Sequence, residues 1–335
     1  MAGSRQFYRL FAAFMVASIL LFLLNRYLAL WLSWPDLSGV FAYFADDSKM
    51  TTAQLIQGLV MWAIYLVAAF LVIRYVRNTP ETGMAEDAEW YSRISYFVVR
   101  AAFWSVLLVG LADAAISLVR VEGALPGLIG EHWAGLLDQA RTRGLYVHYP
   151  LIALSLVIAW FTRSLSFIWL AFLVVLAEFA IVLSRFIFSY EQAFMGDLVR
   201  FWYAALFLFS SAYTLVEGGH VRVDVLYAGF SERAKARVNA VGSLLLGLPL
   251  CWTILALGME SKTGSLIAPV IKFEISQSGY GMFVKYLMAA FLLVFAVSMA
   301  IQFISYFLHS MAILHGEITP ESEDDDLPTL EQEAI

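Results

Sequence analysis

Charge is what this chain has least of. Only 14% of its residues are Asp, Glu, Lys or Arg, while 61% are hydrophobic, against roughly 25% and 45–50% in soluble domains. Such a balance excludes an ordinary soluble protein and points to a polytopic membrane protein. Cysteine is almost absent: Cys251, inside an apolar run, is the single one, which excludes an intrachain disulfide and any cysteine-based metal site. The tail after Gly316 has no Lys or Arg, yet holds Glu317, Glu321, Glu323, Asp324, Asp325, Asp326, Glu331 and Glu333. It accounts for much of the net charge of −6 and is expected to be disordered and solvated. Five histidines occur, His132, His148, His220, His309 and His315, and no apolar run carries a pair of them to hold a haem. No nucleophile has a base and an orienter near it in the pattern. The expectation is therefore no catalytic residue, no cofactor, no metal ligand set and no nucleic-acid partner.

What the chain does have is long apolar runs. They fall at Phe11–Trp31, Ala53–Ile73, Ala101–Val119, Tyr149–Phe161, Phe167–Phe188, Leu198–Val216, Val238–Leu257 and Phe283–Leu308. With about 20 residues needed to span a bilayer, they predict an all-α fold of about eight transmembrane helices and leave little for a soluble domain. Tyr149–Phe161 is short unless residues 145–165 form one helix; a re-entrant segment there would make seven spans. Arg5 and Arg9 precede the first run and no small-x-small cleavage site follows it, so it reads as an uncleaved signal anchor.

Lys and Arg are enriched on the cytoplasmic side of membrane proteins. An inside N-terminus puts Arg5, Arg9, Arg74, Arg77, Arg93, Arg100, Arg163, Arg222, Arg233, Lys235 and Arg237 in the cytoplasm, against Lys49, Arg120, Arg141, Arg143, Lys262 and Lys272 outside. Eight spans also return the C-terminus to the cytoplasm.

Between the sixth and seventh runs stands a dense polar cluster, Glu217-Gly218-Gly219-His220-Val221-Arg222-Val223-Asp224. Its glycines allow a backbone turn that a Cβ would resist, and its charges require water or partners. Ser231 is placed to cap the next helix, with Glu232 at its positive end. Arg233, Lys235 and Arg237 oppose the helix dipole, but near anionic lipid each gains about 1 kcal/mol, so membrane lipid is an expected partner. A plain hairpin turn with a headgroup-binding fringe accounts for the arginines but not for His220 and Asp224.

The stretch Ser211-Ala212-Tyr213-Thr214-Leu215-Val216-Glu217-Gly218-Gly219-His220-Val221-Arg222-Val223-Asp224-Val225-Leu226-Tyr227 resembles the signature of the small permease subunit, DctQ type, of tripartite ATP-independent periplasmic (TRAP) transporters. Arg185-Phe186-Ile187-Phe188, Ser231-Glu232-Arg233 and Gly279-Tyr280-Gly281-Met282-Phe283-Val284-Lys285-Tyr286 add to the likeness. The resemblance divides the chain into an N-terminal extension of about four helices (residues 1–165), a DctQ-like four-helix region (166–316) and an acidic tail (317–335). It implies a non-enzymatic subunit of the bacterial inner membrane that scaffolds a large permease subunit (DctM type). That partner carries the substrate and sodium, and an extracytoplasmic solute-binding protein (DctP type) delivers the solute. The turn residues Glu217, Gly218, Gly219, His220, Arg222 and Asp224 are then structural or lie at a subunit interface. Two features depart from the family: its paired acidic segment is reduced to Tyr190-Glu191 and Asp197, and the helices before Ser166 have no counterpart.

Two acids lie deep in apolar runs, Asp113 and Glu178, where a charge costs at least ~2.5 kcal/mol. They form either an ion or proton path, with Arg100, Arg163 or Arg185 as a gate, or a structural pair or protonated acid. Asn, Gln and His are nearly absent from the same runs, which favours structure. A membrane-anchored redox or cytochrome-like subunit is the alternative class. Small residues at Ser210, Ser211 and Ala212, at Ser243 and Gly247, and at Ala296 and Ala300 are expected to pack helices, within the chain or between subunits. Pro249 is expected to kink its helix. Trp202 and Tyr203 fit an interfacial belt, and Pro126 is placed to start an amphipathic helix over Leu125–Leu137.

Overall fold

The computed structural model describes residues 2–35, 37, 40–41, 51–162, 167–216, 227, 229–276 and 280–318. They build an all-α chain: α1 Ala2–Trp31, α2 Thr52–Asn78, α3 Met84–Val121, α4 Leu125–Ile129, α5 Glu131–Leu137, α6 Ala140–Phe161, α7 Phe167–Phe188, α8 Ala193–Val216, α9 Glu232–Gly258, α10 Ile267–Lys272 and α11 Lys285–His315. Eight of these, all but α4, α5 and α10, are long and apolar enough to cross a membrane. Every apolar run of the sequence seeds one of them, and all but α7 then overshoot their runs. The largest overshoot is α3, whose 38 residues reach about 57 Å at ~1.5 Å per residue. A ~30 Å hydrocarbon core cannot cover that length, and the polar first half, with Glu86, Asp87, Glu89 and Arg93, is the part able to do without it.

The short run Tyr149–Phe161 is completed at its N-terminal side, making α6 22 residues long. Its obstacle is Pro150, which has no N–H to bond Tyr146 and whose ring crowds that carbonyl. The chain widens into a π-turn over Gly144–His148, closed by the Tyr149 N–H on the Gly144 carbonyl. Pro249 produces the same remedy in α9: a π-turn over Ser243–Gly247, closed by the Leu248 N–H on the Ser243 carbonyl. The kink expected at Pro249 therefore takes the form of one extra residue in the turn before it.

The chain resolves into two compact units, one drawn from Met1–Ser92, Arg222–Lys262 and Ala300–Asp324, the other chiefly from Arg93–Val221 and Thr263–Met299. In the first, α1 packs on α2, and a Thr51–Gln54 capping box starts α2. Gly247 faces Phe303 so closely that a Cβ would sit 2.6 Å from its ring, so this small residue serves packing within the chain. The far end of α1 is tied by Arg26, which donates to the Glu260 carbonyl (3.3 Å), and by Ser33, which accepts from Lys262 (3.1 Å).

In the second unit α7 packs on α8. Trp202 is 3% exposed, its indole donates to the Val106 carbonyl at 3.3 Å, and a Cβ on Gly110 would meet it at 2.5 Å. The interfacial position expected for Trp202 is thus corrected: a glycine on α3 admits the ring to the interior, and only Tyr203, 58% exposed, faces outward. The single amphipathic helix expected after Pro126 is also corrected. It breaks into α4 and α5 at Gly130, whose φ of 84° ends a right-handed helix.

Candidate functional site

The residues of the signature turn, Glu217, Gly218, Gly219, His220, Arg222 and Asp224, lie outside the described residues, as do Arg163 and the tail from residue 319. Their flanks are described. Helix α8 runs to Val216; downstream, the Tyr227 hydroxyl hydrogen-bonds Asn239 Oδ1 (3.0 Å) and Ser231 Oγ caps α9 by accepting from the Ala234 N–H. Glu232 and Lys235 pair at 2.7 Å. The first tail residue departs from the expectation of a solvated acid. Glu317 pairs with Arg5 (3.2 Å) and accepts from the Met84 N–H at the start of α3 (2.8 Å), where a carboxylate satisfies a helix N-terminus.

Asp113 is fully enclosed, as are Arg143 and His148. One carboxylate oxygen takes Arg143 Nη1 and His148 Nε2, each at 3.1 Å; the other accepts the Phe283 N–H at 2.8 Å. A buried carboxylate is tolerated only with such compensation. Arg143 Nε donates to the Leu137 carbonyl (2.8 Å), and its guanidinium lies 4.0 Å from the Phe283 ring centroid. His148 Nδ1 is 2.9 Å from the Tyr286 hydroxyl, and the two rings stack. Both ring nitrogens of His148 thus have protein partners, while Arg143 Nη2 is enclosed with no hydrogen-bond partner among the described residues. Among the described residues the partners of Asp113 are therefore Arg143 and His148, not Arg100 or Arg185. His148 comes inward because the π-turn ahead of Pro150 carries it, and Gly144 in the same turn leaves room for Phe273 and Tyr286, which a Cβ would meet at 2.5 and 3.0 Å.

Two more charged side chains grip the same piece of backbone. Arg120 Nη2 donates to the Gly281 carbonyl (2.9 Å) and lies over the Phe283 ring, and Asp197 Oδ2 accepts the Met282 N–H (3.0 Å). Residues 281–283, which lead into α11, are thus held by Arg120 and Asp113 from α3 and Asp197 from α8. Lys285 and Glu274 pair beside them at 2.6 Å. At the α7–α8 connection, Tyr190 donates to Glu122 at 2.6 Å. That hydrogen bond, together with burial and the carboxylate's charge, pushes the phenol up to about 12.

Glu178 has none of this. It is exposed on α7, in the most open of the long helices, and among the described residues it has no ion pair or hydrogen bond. Asp113 and Glu178 are not each other's partners. A further ionic cluster, which the sequence pattern did not suggest, joins Arg9 to Asp87 (2.7 Å) and to the carbonyl and hydroxyl of Thr79, with the Tyr75 hydroxyl completing Asp87 (2.9 Å). Its signal was Arg5 and Arg9 one turn apart just ahead of the first apolar run. Among the described residues no three His, Cys, Asp or Glu side chains converge as metal ligands, and both nitrogens of the buried His148 are taken by protein groups.

The fold defines an all-α, polytopic protein with up to eight membrane-crossing helices. Residues 174–313 match the family model of the DctQ component of tripartite ATP-independent periplasmic transporters. The matched span takes in Glu178, Asp197, the signature turn and the gripped segment before α11, and leaves out α1 to α6. No curated protein and no solved structure matches the chain.

Proposed function

We propose that this chain is the small membrane subunit of a TRAP-type secondary transporter. It scaffolds a large permease subunit of the DctM type, which moves solute with sodium, and a DctP-type binding protein outside the cytoplasm supplies that solute. The observation that carries this reading is the match of residues 174–313 to the DctQ component. A scaffold must resist a moving partner, and the charged grips on residues 281–283 tie the start of the last helix to α3 and α8. On this reading the protein lies in a bacterial inner membrane with eight spans and both termini in the cytoplasm. Residues 1–165 are an added multi-helix region and 166–316 the DctQ-like part. The turn Glu217, Gly218, Gly219, His220, Arg222 and Asp224 serves shape or subunit recognition, and Asp113 is a structural anchor.

Co-expression with a candidate large permease, followed by detergent co-purification, tests the proposal. The two chains are expected to elute together in a fixed ratio, and loss of association is expected from His220→Ala or Asp224→Ala if the turn recognises the partner. Separate elution of the unmodified chains contradicts the assignment.

A further inference from the structure

Exposed apolar surface says little by itself in a membrane protein, since lipid tails cover it as well as a protein does. A carboxylate in the same surface is different. Glu178 lies close to the middle of the 22-residue α7, where a charge costs about 2.5–3.5 kcal/mol on insertion scales. Asp113, in a comparable run, offsets that cost with donors from its own chain; Glu178 has no such donor among the described residues.

The surroundings of Glu178 have a second regularity. Phe172, Val175, Phe179, Val182 and Phe186 are 52%, 66%, 56%, 47% and 79% exposed, and their spacing alternates three and four residues. That is the repeat with which one helix seats against one other helix. Glu178 flanks this stripe, one helical step from both Val175 and Val182. On its other side Glu178 opens onto a groove of about 480 Å³ lined also by Glu191, Gln192, Asp197, Arg200 and Ser276. There Asp197 is paired with Arg200 at 3.1 Å and Glu191 with Arg185 at 3.4 Å. Of the acids lining the groove, Glu178 is the one without a cation among the described residues.

We infer that the Phe172–Phe186 stripe of α7 is the seat of one transmembrane helix of the large permease subunit, and that this helix brings a cationic or hydrogen-bond-donating side chain to Glu178. The inference rests on the small-subunit reading and adds to it a surface and a complementary charge. A helix of that kind supplies both what the stripe fits and what the carboxylate lacks.

The test uses the full chain co-expressed with the large permease, and reads the amount of large subunit recovered per small subunit. Glu178→Lys sets like charge against the partner's cation, and recovery is expected to fall by about tenfold or more. Val182→Trp, which changes no charge, is expected to lower recovery by obstructing the stripe, while Leu66→Trp, at a still more exposed site of α2 (67% against 47%), leaves it unchanged. Melting temperature and monodispersity of each purified variant show that it is folded. Full recovery with both Glu178→Lys and Val182→Trp, from chains that associate when unmodified, overturns the α7 surface and leaves the small-subunit reading standing. If the unmodified chains do not associate, both fall.

Discussion

Asp113 and Glu178 are acids in similar apolar runs, and the fold treats them oppositely. Asp113 is shut in with Arg143, His148 and the Phe283 N–H, while Glu178 faces outward with no partner among the described residues. The environment divides along the same line. Around Asp113 even a Cβ on Gly144 would strike neighbouring rings, whereas around Glu178 a Cβ on Gly196 would meet nothing within 4 Å. An intramembrane carboxylate satisfied by its own chain acts as a fastener, here of residues 281–283 to α3. Glu178, on a largely exposed helix, is the place where the proposed partner helix is seated.

The contrast predicts opposite mutational profiles. Asp113→Ala leaves the Arg143 guanidinium enclosed without a counter-charge and the Phe283 N–H without an acceptor, at a cost of about 3–5 kcal/mol. Thermal unfolding in detergent should show a large drop in melting temperature. Glu178→Gln is expected to shift stability by no more than about 0.5 kcal/mol, and equal losses from the two changes would erase the distinction. Gly144→Ala forces Phe273 and Tyr286 aside for about 1–3 kcal/mol, while Gly196→Ala is neutral or slightly stabilising in the same melting experiment. Tyr286→Phe removes the hydroxyl paired with His148 Nδ1 and is expected to cost about 1 kcal/mol. Arg200→Gln loses only an exposed pair with Asp197, which contributes about 0–1 kcal/mol; stability should barely move.

The spans were legible because twenty-odd apolar residues leave few alternatives, and all eight runs became helices. The start of α6 was not, because Arg141, Arg143 and His148 look like loop residues, and only the fold shows Arg143 and His148 turned inward while Arg141 stays exposed. Asp113 stood out as a lone acid, but its partners did not, since Phe283 lies 170 positions away and contributes only a backbone N–H, which carries no residue signature. Trp202 was misplaced for a related reason: nearness to a helix end suggested the membrane interface, and only the gap at Gly110 shows otherwise. Asp197 was visible as an acid near a helix start, and its hold on Met282 came only with the fold. Gly247 was recognisable as a small residue at a contact, and its partner Phe303 turned out to belong to the same chain.

The scaffold account is tested most directly by sodium-driven uptake in proteoliposomes supplied with the binding protein. Vesicles holding the large permease and this chain together are expected to accumulate solute, and vesicles holding either one alone are not. Equal uptake by the large permease without this chain, or any uptake by this chain alone, would contradict the account.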